Sequence, residues 1–139
     1  MSKEPTLTRD QQRALRAYEA VANVPEKDRK DYKIAVQALG AEILRSGLAA
    51  AMAGLERRKG KADRLREDLA NAGIPRLVQL GREDIPILRG ALTRDNLPAK
   101  VRALPLDDYI LVTRETLQVV LWLKRAVQAT FKDGEASDA

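Results

Sequence analysis

The chain contains neither cysteine nor histidine. Thiolate nucleophiles, disulfides, Cys/His metal sites and a histidine base working near neutral pH are therefore all excluded. Acid–base work would fall to carboxylates, whose adjacent pairs include Glu83-Asp84 and Asp107-Asp108. Both read as first-turn charges, because the aligned peptide dipoles of a helix favour negative side chains at its start. There is no glycine-rich phosphate loop ending in Lys-Ser/Thr, no Gly-x-Ser-x-Gly elbow and no clustered Asp-x-Asp-x-Asp run. No catalytic, cofactor-binding or metal-binding residue is assigned. The chemistry that remains is recognition: cations for phosphates, and a few aromatic rings for stacking or packing.

The cations are unevenly spread. Net charge is +5, and residues 55–66 hold six Lys/Arg against Glu56 and Asp63. Residues 1–54 hold nine Lys/Arg against seven Asp/Glu, and residues 67–139 hold ten against eleven. Such a concentration is the electrostatic footprint expected of a polyanion partner. Arg57, Arg58, Lys59, Lys61 and Arg64 are thus the leading candidates for contact with a polyanion's backbone, followed by Arg45, Lys124 and Arg125. Near a helix C-terminus, Lys124 and Arg125 also suit the dipole without any ligand. Tyr18, Tyr32 and Tyr109 lie on apolar stripes and read as core. Trp122 falls beside such a stripe and reads as an anchor against another helix or as a subunit-interface contact.

The elements that position these residues are helices. Apolar residues recur at threes and fours almost throughout, and no run alternates with period two. Thr8-x-x-Gln11 predicts a capping box and a first helix with Ala14, Leu15, Tyr18, Val21 and Ala22 inward, ended by Val24-Pro25. A second helix spans about Lys27 to Arg45, with Tyr32, Ala35, Val36, Leu39 and Ile43 buried, and Ser46-Gly47 closes it. A third, rich in Ala and Gly, runs from Leu48 to about Lys59, with Leu48, Met52 and Leu55 as core contacts. A fourth runs from Lys61 to Ala72. The basic segment thus spans one helix end, a turn at Gly60 and the next helix start. Prolines 75, 86 and 98 suggest short helices near 75–80, 84–92 and 96–104. A last helix runs from about Asp107 to Lys132 on Tyr109, Val112, Thr116, Val120, Leu123 and Val127.

These segments predict an all-α fold, a compact single-domain bundle of about six to seven helices. The helical domain would cover 9–132, between a flexible N-terminus (1–8) and a disordered C-terminal tail (133–139). Met1-Ser2-Lys3-Glu4-Pro5 carries no signal-peptide apolar region, and the apolar stretch Gly47–Leu55 is far short of the roughly 20 residues that span a bilayer. A soluble, cytoplasmic, non-enzymatic binder is expected. A helix-turn-helix regulator would have its turn at Gly40 or at Ser46-Gly47. The positions four before those glycines are Val36 and Ile43, too bulky for that motif. A stand-alone helical adaptor meeting an acidic partner is the other alternative.

Three segments carry a family resemblance: Arg13-Ala14-x-x-Ala17-Tyr18-x-x-Val21; Tyr32 to Leu39 leading into Ile43-Leu44-Arg45-Ser46-Gly47-Leu48, followed by a small-residue helix with Met52; and Leu106-Asp107-Asp108-Tyr109 through Thr113-Arg114-Glu115 to Trp122-Leu123-Lys124-Arg125. In order and content they resemble the small helical subunit of the type III-B (Cmr-type) CRISPR RNA-guided effector complex, with Ser46 where the family often has Asn. The stretch 73–104 matches nothing quotable. The resemblance implies a subunit without nuclease activity, needing no cofactor. Several copies would stack along the guide–target duplex beside other effector-complex subunits and contact guide and target RNA backbone, in antiviral defence.

Overall fold

The computed structural model of the protein describes residues 7–58, 60–73 and 92–131. Six α-helices run through them: α1 (Arg9–Ala22), α2 (Arg29–Ser46), α3 (Leu48–Arg57), α4 (Asp63–Asp68), α5 (Leu97–Arg102) and α6 (Leu106–Thr130). A 3-10 turn (Glu26–Asp28) leads into α2, and a π-helical turn (Leu69–Gly73) continues α4. No strand occurs among the described residues, so the all-α class is as the periodicity requires. The helix expected over 75–80, that expected over 84–92 except for its last residue, the Glu83-Asp84 pair and the two terminal segments beyond 7 and 131 lie outside the described residues.

Local chemistry accounts for most boundaries. The Gln11 N–H donates to Thr8 Oγ1 at 3.1 Å while the Thr8 N–H donates to Gln11 Oε1 at 2.8 Å, which closes the capping box that opens α1. At the other end α1 stops before Val24-Pro25. All five expected core residues of α2 are buried, as are Val112, Thr116, Val120, Leu123 and Val127 of α6. Thr116 is accommodated there because its hydroxyl donates to the Val112 carbonyl at 2.8 Å. α6 packs along both α1 and α2, so the longest helix is the spine of the bundle. Gly40 sits inside α2, not in a turn: a Cβ there would stand 3.5 Å from Val120 Cγ1, an ordinary contact, so this position faces α6. This removes the Gly40 version of a helix-turn-helix.

The inward face of α1 differs from the expectation. Ala17 and Val21 are its buried residues, whereas Leu15 and Tyr18 are 60% and 42% exposed and Ala22 is also exposed. The bulkier apolar side chains are turned out because α1 is clamped to α6 by charge. Arg13 grips Glu115 with Nε–Oε2 and Nη2–Oε1 distances of 2.8 and 2.6 Å, and its Nη1 is 2.8 Å from Asp10. Glu115 is buried, and the two-pronged bond from Arg13 raises the guanidinium pKa above its ordinary value. Small residues below this clamp let the two helices close.

The corner between α2 and α3 turns on Gly47, at φ 92° and ψ 164°. Its N–H donates to the Ile43 carbonyl at 2.9 Å, and the Ala49 N–H that follows donates to Tyr109 Oη at 2.9 Å. Tyr109 is only partly buried, and its hydroxyl therefore ties α6 to the start of α3. A Cβ at position 47 would approach that hydroxyl to 3.2 Å in a backbone region that L side chains avoid. Gly47→Ala is expected to destabilise the fold by about 1–3 kcal/mol, read as a lowered urea midpoint with an unchanged slope.

A candidate nucleic-acid interface at the α3–α4 corner

Among the candidate cations, Arg57, Arg58 and Lys61 come together at this corner. α3 ends at Arg57, and the chain turns through Arg58, whose N–H donates to the Leu55 carbonyl at 3.0 Å. It then passes Gly60, at φ 90°, and enters α4 at Asp63. The Lys61 and Ala62 N–H groups both return to the Arg58 carbonyl, at 3.1 and 2.9 Å, so the turn is tight. Arg57, Arg58 and Lys61 are exposed, and none forms an ion pair with a described residue. Lys59, also a candidate, lies outside the described residues.

The next two arginines of the basic segment behave differently. Arg66 is 5% exposed and neutralised within the molecule: Nη1 is 3.2 Å from Asp63, while Nη2 is 3.5 Å from Asp95 and donates to the Arg94 carbonyl at 2.9 Å. Asp63, drawn below the usual carboxylate range chiefly by a backbone hydrogen bond from Gly60, is also 3.4 Å from Arg94. This network ties the segment before α5 to α4. Arg64 is half-buried, with Nε 3.6 Å from Asp68 in the i,i+4 register. Its charge is shared with a carboxylate, so it contributes less to the surface field than its neighbours. Both pairings had a sequence signal in the spacings Asp63-x-x-Arg66 and Arg64-x-x-x-Asp68, which a net-charge count overlooks.

The lower-ranked candidates are scattered. Arg45 is 71% exposed on the last turn of α2, 3.4 Å from Glu42. Lys124 and Arg125 are exposed on α6, more than a turn short of its last residue, where the helix dipole acts weakly on them. Arg125 lies over the Trp122 ring, its guanidinium carbon 4.9 Å from the centroid. Trp122 is packed partly against the core and its Nε1 reaches Asp10 at 3.4 Å, so the indole anchors α1 on α6. The separation of these elements leaves the α3–α4 corner as the site where described cations cluster without partners.

One feature had no sequence signal. A groove runs between α2 and α3 in two adjoining depressions of about 290 and 470 Å³. Ala38, Leu39, Ala51, Gly54 and Leu55 floor the first; Ile34 and Ala62 floor the second. Ala35, Arg57 and Arg58 border both. Residues from two helices and the turn that follows them build it, and no linear pattern reports such a juxtaposition. Among the described residues, no three acidic side chains gather into a metal-ligand group, and no helix is long and apolar enough to cross a membrane.

The described chain is thus a small all-helical body with an exposed cationic corner. The family described as CRISPR-associated protein (Cas_Cmr5) matches residues 9–130, so the chain belongs to the CRISPR-associated Cmr5 family. The fold agrees with the crystal structure of a CRISPR-associated Cmr5 family protein from Thermus thermophilus, at a TM-score of 0.67 and 27% identity. That match covers 91% of this chain and 100% of the other. No curated protein matches the chain significantly in sequence. Family membership makes the protein a subunit of the Cmr-type, type III-B CRISPR effector complex and an associate of the other Cmr subunits.

Beneath the corner, Tyr32 donates to buried Asp68 at 2.7 Å. Burial pushes the Tyr32 hydroxyl pKa up, and Asp68 is likewise raised, by burial first, against the opposing pull of Tyr32 and Arg64. A carboxyl raised in the folded state favours folding while protonated. That contribution is full below the unfolded value near pH 4 and is lost as pH rises through the folded one. Asp68→Asn keeps an acceptor for Tyr32 and removes the ionisation. Its stability relative to the parent is expected to improve as pH rises from about 3 to 7, measured by urea unfolding. A pH-independent difference contradicts the assignment.

Proposed function

We propose that the chain is a non-catalytic structural subunit of the type III-B effector ribonucleoprotein, acting in antiviral defence in the cytoplasm. Several copies stack along the guide–target duplex, and each contacts RNA backbone through Arg57, Arg58 and Lys61. Lys59 extends this set by its place in the chain, and Arg64, Arg45, Lys124 and Arg125 contribute secondarily. Trp122 serves as an interface anchor, and the helical domain runs over 9–132.

The observation that carries this reading is the cluster of exposed, unpaired cations at the α3–α4 corner, in a chain whose other basic-segment arginines are engaged internally. Cations that fold without partners retain their attraction for an external polyanion, and their contacts with phosphate are indifferent to base sequence. Such indifference suits an RNA-guided complex, where base pairing with the guide reads the target. A composition without Cys or His supports the non-catalytic role.

The test is salt dependence. Arg57→Ala/Arg58→Ala/Lys61→Ala is expected to weaken binding to unrelated RNA sequences equally. It should also flatten log affinity against log salt by about 2–3, at roughly 0.7–0.9 per lost phosphate contact. Fluorescence anisotropy over a salt series measures both. An unchanged slope removes the corner as the contact surface. A strong preference of the parent for one duplex sequence would favour a DNA-reading regulator.

A further inference from the structure

The groove between α2 and α3 adjoins the cationic corner and has a shape that phosphate contact alone does not require. We infer that it holds two successive, unstacked nucleotides of a single strand, with their bases over the two depressions and the phosphate between them on Arg57 and Arg58. The inference rests on the reading of the corner as a nucleic-acid contact and adds to its duplex-backbone contact a subsite for an unpaired stretch of strand.

The first observation is the order of features along the groove. Arg57 and Arg58 stand where the depressions meet, with a mostly apolar hollow below and a mixed one above, where Lys61 and Asp31 share the lining with Ile34 and Ala62. A cation between two hollows matches the repeat of a nucleic-acid strand, in which a charged phosphodiester separates two flat, weakly polar heterocycles. The Arg57 Nη2 also lies 3.8 Å from where a Cβ on Gly54 would be, so the guanidinium rests along the helix beside the lower hollow. An arginine so placed presents its fork of donors to a phosphate inside the groove.

The second observation is spacing. On α2 the upper depression is bordered from Asp31 to Ala35 and the lower from Ala35 to Glu42. At 1.5 Å of rise per residue their middles lie about 7–8 Å apart. Charges along one strand of a duplex recur every ~3.4 Å, so stacked, paired bases cannot enter both hollows. Bases splayed from a single strand can, and their faces would cover the exposed Ile34 and the alanine floor.

The third observation is the placement of the two carboxylates in the groove. Asp31 borders the far end of one hollow and Glu42 the far end of the other, away from the divide. Lys61 in the upper hollow and Arg45 beside Glu42 offset these two charges, so the carboxylates mark the ends of the groove while the arginines mark its divide. The two hollows, of about 290 and 470 Å³, each have room for a flat heterocycle.

Ala38→Leu fills the lower hollow without altering charge, in a half-buried helical position that leucine suits. Anisotropy at low salt would compare the full-length parent and variant with a labelled oligoadenylate of about 12 nucleotides and a duplex of equal length. The parent is expected to prefer the single strand. Ala38→Leu should lose about ten-fold on the single strand, as one excluded base implies, and leave duplex binding unchanged. Gly54→Ala, whose Cβ meets only the end of Arg57, supplies a second, milder filling variant should the leucine impair folding. Single-strand affinity unmoved by a folded variant, equal losses on strand and duplex, or equal competition by polyglutamate overturns the inference while leaving the phosphate surface standing. Failure of the parent to bind either nucleic acid overturns that underlying reading as well.

Discussion

The turn at Gly47 is the constraint on which the binding surface depends. α2 and α3 share one face of the molecule because the chain reverses there in a single residue, at a φ that only glycine adopts without strain. Reversal brings the end of α3 beside the first half of α2, so Arg57 and Arg58 border the same hollows as Ala35. The hydroxyl of Tyr109 completes the corner by accepting from the Ala49 N–H, one of the donors that a helix start leaves without an intrahelical partner. The site is thus set by a backbone conformation some ten residues before its cations, and by a side chain from the far end of the sequence.

A second principle sorts the basic residues. A guanidinium carried into the helical body must be paired, since an ionised group out of water is strongly penalised. Arg13 and Arg66 meet that requirement with Glu115 and with Asp63 and Asp95, and in doing so they join α1 to α6 and α4 to the segment before α5. These pairs specify which elements lie together. Arg57, Arg58 and Lys61 escape the requirement by standing at a helix end and a turn, where water solvates them. Architecture and binding therefore draw on the same residue types, distinguished by where the helices end.

Much of this was legible in the sequence. The stripes of α2 and α6 were readable because the neighbours they pack on are themselves long helices, and a threes-and-fours pattern reports burial well there. α1 was readable as a helix but not as a face. Leu15 and Tyr18 outweigh Ala17 in hydrophobicity, yet the Arg13–Glu115 clamp, between residues 102 apart in sequence, fixes the rotation about the helix axis. The corner was legible as a concentration of charge, and the helical spacings to Asp63 and Asp68 hinted at which arginines are engaged, but the burial of Arg66 against Asp95 needed the structure. The groove was beyond sequence reading altogether, because Ala38 and Gly54 acquire meaning only when two helices lie side by side.

The same clamp gives the molecule a built-in optical gauge. Its single tryptophan, Trp122, sits on α6 with its indole N–H directed to Asp10 of α1 and its face beneath the Arg125 guanidinium. The ring's surroundings are thereby set by whether the first helix is seated on the last. Indole emission follows the polarity around the ring, so departure of α1 from the spine is visible as a spectral change even while α2, α3 and the cationic corner remain in place.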